Sequence, residues 1–160
     1  MFSMSEKSHV QIESLLADLL VRAEGNAVFL CDRGGNILAQ STANLYSSEE
    51  NMAALAAGSF YATRELARIL GEPEFHCVFH QGDRASLYMQ STSYDLLVLV
   101  IFGAESNPGL VRLYASSSVQ ALDDMMNNAE NEEPEPQPVT VFEIDSTKQA
   151  FEKAPEFRAS

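Results

Sequence analysis

Residues 96–102 read LLVLVIF, an unbroken apolar run with no charged residue in it. A bilayer-spanning helix takes about 20 apolar residues, so this run is far too short to cross a membrane. Its length suits a strand covered on both faces. The residues before it strengthen that reading. Phe75, Cys77 and Phe79 alternate with His76, Val78 and His80; Gln81-Gly82-Asp83 breaks the pattern, and Ala85-Ser86-Leu87-Tyr88-Met89 resumes it. A period of two is the spacing that sends successive side chains to opposite faces of a sheet. After the apolar run, Ser106-Asn107-Pro108-Gly109 offers a polar cap with proline at or near the first helical position. The expectation is a three-stranded antiparallel meander feeding a helix. The segment contains no nucleophile, metal set or phosphate loop, which directs the functional reading toward binding rather than chemistry.

The N-terminal half has a similar grammar. Val10, Ile12, Leu15, Leu16, Leu19 and Leu20 recur at spacings of three and four between Ser8 and Glu24, the pattern of an amphipathic helix, and Gly25-Asn26 ends it. Ala27 to Cys31 reads as a short buried strand, Asp32-Arg33-Gly34-Gly35-Asn36 as a hairpin turn, and Ile37 to Gln40 as the returning strand. Ser47 or Ser48 is placed to cap a long helix whose first turn holds Glu49 and Glu50 at the positive dipole end, and which runs to about Leu70 before Gly71. The last helix is expected from Pro108 to about Asn128, with Leu110, Leu113, Val119 and Leu122 inward. The order is helix, strand, strand, helix, strand, strand, strand, helix. That order fits an α+β fold with a five-stranded antiparallel sheet between helices. The third strand is expected at an edge, where pairing with a second copy would cover its open backbone groups.

The long helix carries two stripes. Met52, Leu55, Ser59, Ala62, Leu66, Ile69 and Leu70 form the one suited to covering a sheet. Ala53, Ala54, Ala57, Gly58, Tyr61, Glu65 and Arg68 form the other, small and uncharged through its first half. A solvated helix face normally carries Lys and Glu. The second stripe is therefore expected to meet either another protein or another part of its own chain. Arg64, Glu65 and Arg68 can also be read as a solvated ion-pair face.

The chain has 23 acidic and 10 basic residues, a formal net charge of −13. A nucleic-acid groove needs a basic stripe, so nucleic acid is excluded as a partner, and an anionic membrane surface is disfavoured for the same reason. Residues 129–138, AENEEPEPQP, read as an extended acidic linker. Apolar residues return at Val139, Val141, Phe142, Ile144 and Phe151, as in a docking segment. Cys31 and Cys77 sit in apolar runs and are expected to be reduced core residues. His76, Cys77 and His80 invite a zinc reading, but His76 and His80 share one strand face while Cys77 points to the other. Asp32 with His80 as a proton-transfer pair lacks a pocket. Arg33, on a turn, and Arg112, near the start of the last helix, read as surface or supporting residues. Met1 to Lys7 lacks the pattern of a secretory signal, so a cytoplasmic location is expected.

Taken together, ILGEPEF at the end of the long helix, SLYM, LLVLVIF and GLVRL resemble the roadblock (dynein light-chain 7) family, most of all its bacterial MglB-type branch. The resemblance covers about residues 7–128, and Phe142 to Asp145 is similar to an acidic-aromatic C-terminal segment of that branch. It implies an α/β sandwich that dimerises through the long second helix and an edge strand, with itself or another roadblock protein. It implies regulation of an MglA-like Ras-family small GTPase in cell polarity or gliding motility, with placement at a cell pole through partners. It implies stimulated GTP hydrolysis without an arginine finger, by holding the GTPase's own switch residues, with no catalytic residue, metal or cofactor in the regulator itself. The alternative is an adaptor that scaffolds such a complex without affecting hydrolysis. The residues expected at the dimer or GTPase interface are Ala53, Ala54, Ala57, Gly58, Tyr61, Arg64, Glu65 and Arg68. In the tail they are Val141, Phe142, Ile144 and Phe151. The expected division is a domain over 1–128, a linker over 129–138 and a docking segment over 139–160.

Overall fold

In chain order the elements are α1 (Glu6–Arg22), β1 (Ala27–Cys31), β2 (Ile37–Thr42), α2 (Glu49–Ile69), β3 (Cys77–Gln81), β4 (Ala85–Ser91), β5 (Leu97–Gly103) and α3 (Pro108–Asn131). They come from a computed structural model that describes residues 4–44 and 46–132. The element order is the expected one. The strands form one sheet in the order β2-β1-β5-β4-β3, with every neighbouring pair antiparallel. β3 is therefore an edge strand, as the sequence indicated.

Local chemistry explains most boundaries. Ser5 caps α1 by accepting from the Ser8 amide, and Asn107 caps α3 by accepting from the Gly109 amide, with Pro108 at the first helical position. Gly71, at φ +79, ends α2 in a left-handed conformation; its amide bonds to the Arg68 carbonyl and that of Glu72 to the Ala67 carbonyl, a Schellman closure. The start of α2 departs from expectation. Ser48 occupies the cap position at φ 70 without a side-chain cap bond, and the Glu49 carboxylate instead accepts from the Tyr46 amide. α3 continues to Asn131, past the expected end at 128. The remainder of the expected linker and docking segment, with Val141, Phe142, Ile144 and Phe151, lies outside the described residues.

β1 pairs along its full length with residues 97–101 of β5, Phe29 opposite Leu99, and β1 and β5 up to Phe102 are buried on both faces. One face carries Val28, Leu30, Val98, Val100 and Phe102 against Ile12, Leu16 and Leu19 of α1 and Val111, Ala115 and Leu122 of α3. The other carries Phe29, Cys31, Leu97, Leu99 and Ile101 against Ala53, Ala56, Ala57 and Phe60 of α2. The result is a three-layer sandwich. Two helix readings are corrected. On α3, Val119 and Leu122 are buried, but Leu110 and Leu113 are exposed, and Val111, Ala115, Ser118 and Met126 are buried in their place. On α1, Val10 is exposed. Both cysteines are free: Cys31 is buried, which pushes its thiol up to about 12, and Cys77 is only half-buried.

Candidate contact surface on the second helix

α2 meets the sheet with its small residues. Ala53, Ala56, Ala57, Phe60 and Ala67 are its buried positions, whereas Leu55 is 76% and Ile69 73% exposed, with Leu66 and Leu70 exposed beside them. The expected assignment of the two stripes is thus corrected. Leu55, Ala62, Leu66, Ile69 and Leu70 are exposed, Ser59 is half-buried, and of the expected stripe Met52 packs, half-buried, against the core on this face. The reason is volume: Phe29, Leu97, Leu99 and Ile101 fill most of the interlayer space, and close packing then admits alanines around Phe60 on the helix.

Of the expected interface residues, Ala53 and Ala57 are corrected: they are buried inside the chain against β1 and β5 and have no surface to offer a partner. Ala54 and Gly58 are exposed, and a Cβ built on Gly58 would meet nothing within 4 Å. Glu65 and Arg68 are exposed and pair with each other one helical turn apart, the Arg68 Nε donating to Glu65 Oε1. That hydrogen bond lowers the Glu65 pKa and raises that of Arg68. In water such a pair contributes little to stability.

Tyr61 and Arg64 are committed elsewhere. The Tyr61 hydroxyl donates to the Asp95 carbonyl at 3.0 Å, and Arg64 donates to Asp95 Oδ1 at 2.6 Å and to Glu74 Oε2 at 3.2 Å. The Arg33 guanidinium lies 5.1 Å from the centre of the Tyr61 ring and that of Arg64 5.5 Å from it. The hydrogen bond to Asp95 raises the Arg64 pKa, and burial, followed by the Asp95 charge, raises that of Tyr61. This cluster joins α2 to the β1–β2 turn, the β4–β5 turn and the loop before β3. Asp95 itself is held at φ 58, an uncommon conformation outside glycine.

The residues that sequence reasoning missed are the bulky ones. Beyond α2, Val78 of β3 and Leu87 of β4 are only half-buried, and His80, opposite Leu87 in the register, is exposed. A depression of about 460 Å³ runs between helix and sheet there, lined by Met52, Leu55, Ser59, His80 and Leu87. It joins the apolar face of α2 to the open edge of β3. The signal was present in the sequence, since Leu55, Leu66 and Ile69 share one helix face, but the rule that bulky stripes turn inward assigned them to the core. Among the described residues, no group of three or more His, Cys, Asp and Glu is placed to hold a metal ion, and no helix is long and apolar enough to cross a membrane.

The described fold is a three-layer sandwich that leaves an apolar helix face and a sheet edge open side by side. The chain belongs to the Roadblock/LC7 domain family, whose sequence profile matches residues 12–102. Among solved structures, MglB of Myxococcus xanthus is 30% identical, with 74% of this chain and 96% of that chain covered and a TM-score of 0.70. The gliding protein MglB of Thermus thermophilus is 26% identical, with 78% of this chain and 95% of that one covered and a TM-score of 0.73. An MglB described as having a tetrameric arrangement is 26% identical, with 79% and 95% covered and a TM-score of 0.74.

Proposed function

We propose that this chain is a dimeric regulator of an MglA-like Ras-family GTPase in bacterial cell polarity or motility. The observation that carries the reading is the joint exposure of the α2 apolar face, the Ala54–Gly58 strip and the β3 edge, in a chain similar to MglB. Pairing two β3 edges would satisfy open backbone groups and bring two α2 helices together on one face. Leu55, Leu66 and Ile69 would then be buried between copies. Ala54 and Gly58, with little bulk, would let a GTPase's switch segments approach the helix backbone. Phosphoryl transfer is accelerated by positioning and charge stabilisation, so a regulator that only holds switch residues in a competent geometry can speed hydrolysis without donating a catalytic group. The residues after 138 would add a second contact to the GTPase.

A second reading, an adaptor without effect on hydrolysis, draws on Tyr61 and Arg64. These bulky side chains are fixed by Asp95 within one to two turns of Gly58. One experiment separates the two. The purified protein is mixed with the MglA-like GTPase of the same organism, and single-turnover phosphate release is followed alongside binding. Accelerated release at substoichiometric protein is the expected result. Binding without acceleration establishes the adaptor, and absence of binding in both nucleotide states refutes both readings.

A further inference from the structure

Arg33 is an exposed cation whose side chain donates no hydrogen bond among the described residues. Its side chain is 72% exposed and lies between the Tyr61 ring and the Asp95 carboxylate. The turn beneath it is locked by Asp32, whose Oδ1 accepts from the Gly34 and Asn36 amides at 2.9 Å each, while Oδ2 accepts from Asn36 Nδ2 at 2.8 Å. Burial pulls the Asp32 carboxyl upward, but the hydrogen bonds from Asn36, then from the Gly34 and Gly35 amides, outweigh it and leave its pKa below the usual carboxylate range. Gly35, at φ +82, presses the turn onto α2: a Cβ there would stand 2.4 Å from the Ala54 Cα. The guanidinium then rests by the Tyr61 ring, and the phenol is in turn tied to Asp95.

What this framework leaves open is the guanidinium fork. Asp95 Oδ2 forms an ion pair with Arg33 Nη1 at 3.9 Å, beyond hydrogen-bond distance, because the carboxylate is drawn to Arg64 by the 2.6 Å bond through Oδ1. The Arg33 side chain donates no hydrogen bond among the described residues, although a guanidinium offers five N–H groups. Contact with an aromatic ring and the hydrogen-bonded turn beneath it reduce the freedom an arginine would lose on binding. The position matters as well. The turn touches α2 at Ala54, and Tyr61 lies three residues beyond Gly58, so Arg33 borders the Ala54–Gly58 strip.

We propose that Arg33 is a specificity-determining contact whose guanidinium receives a surface carboxylate of the GTPase docked on that strip. The inference rests on the proposed function above. In a chain of net charge −13, an acidic patch on a partner is repelled over most of the surface, and an exposed guanidinium with hydrogen-bond donors to offer marks a place where it is accommodated. The side chain lies at the surface beside the Tyr61 ring, which favours a group brought to it over a phosphate deep in a nucleotide pocket.

The test compares wild type with Arg33→Ala and Arg33→Lys, each binding the GTPase loaded with a non-hydrolysable GTP analogue at low and high salt. Arg33 is largely exposed, so both variants should unfold at the wild-type temperature. Arg33→Ala should weaken binding about tenfold and flatten its salt dependence. Arg33→Lys should restore the salt dependence but only part of the affinity, because an ammonium lacks the planar fork. Wild-type binding that Arg33→Ala leaves unchanged at both salt concentrations overturns this inference alone. Unchanged binding with slowed single-turnover hydrolysis also overturns it, placing Arg33 on the nucleotide instead. Failure of the wild type to bind either nucleotide state removes the proposed function and this contact with it.

Discussion

Ala57 and Gly58 are adjacent in α2 and face opposite environments. Ala57 packs against the sheet, whereas a side chain at Gly58 would project into open space. One residue along a helix is a rotation of about 100°, enough to pass from core to solvent. Gly58→Arg should therefore fold with stability equal to or slightly above wild type, since glycine in a helix interior is unfavourable by about 1 kcal/mol relative to alanine. The same variant should lose GTPase binding, because its guanidinium would occupy the close approach. Ala57→Arg should cost more than about 3 kcal/mol by forcing a charge against the sheet. Thermal unfolding and GTPase binding of the two variants check both statements; wild-type binding by Gly58→Arg would remove the strip from the contact surface. The sequence placed 53, 54, 57 and 58 on one stripe because all four are small. It could not say which side of that stripe turns inward, since side-chain size alone does not locate the sheet.

At the scale of the element, α2 shows how packing is shared between two surfaces. The sheet supplies Phe29, Leu97, Leu99 and Ile101, and the helix answers with alanines and Phe60. Its larger aliphatic residues are left outside beside the β3 edge. A double substitution Leu66→Glu with Ile69→Glu should keep the unfolding temperature within a few degrees of wild type and shift sedimentation equilibrium from dimer to monomer. These are exposed positions, where substitutions usually change stability by about 0.5 kcal/mol or less. A dimer that survives both changes would place the self-contact elsewhere. The helix itself was legible from its capping acids, its length and the stop at Gly71, because those signals are local. Its orientation was not, for a reason repeated in α3: Leu110 and Leu113 fit a core periodicity but lie outside, while Ala115 and Ser118, too small to register as core in a sequence pattern, are buried.

The whole molecule combines an acidic Roadblock/LC7 domain with an acidic C-terminal stretch containing Val141, Phe142, Ile144 and Phe151. Removal of residues 139–160 should leave self-association and the unfolding transition intact and weaken GTPase binding several-fold, as loss of one of two linked contacts does. Size-exclusion chromatography with light scattering, run beside a binding titration, checks both halves. A monomeric or unfolded truncation would assign those residues to the domain instead. By itself the sequence determined the order of elements, the antiparallel meander, the edge position of β3, the turn at Asp32–Asn36 and the family, because periodicity, caps and turns act over a few residues. Only the tertiary structure decided which face of α2 is covered and that Tyr61 and Arg64 are bound to Asp95, which lies 34 and 31 residues further along the chain. It also decided that Arg33 stands beside them, ion-paired with Asp95 and donating no hydrogen bond among the described residues. Those outcomes depend on volumes and charges brought together by the folded sheet, and no local pattern in the chain records them.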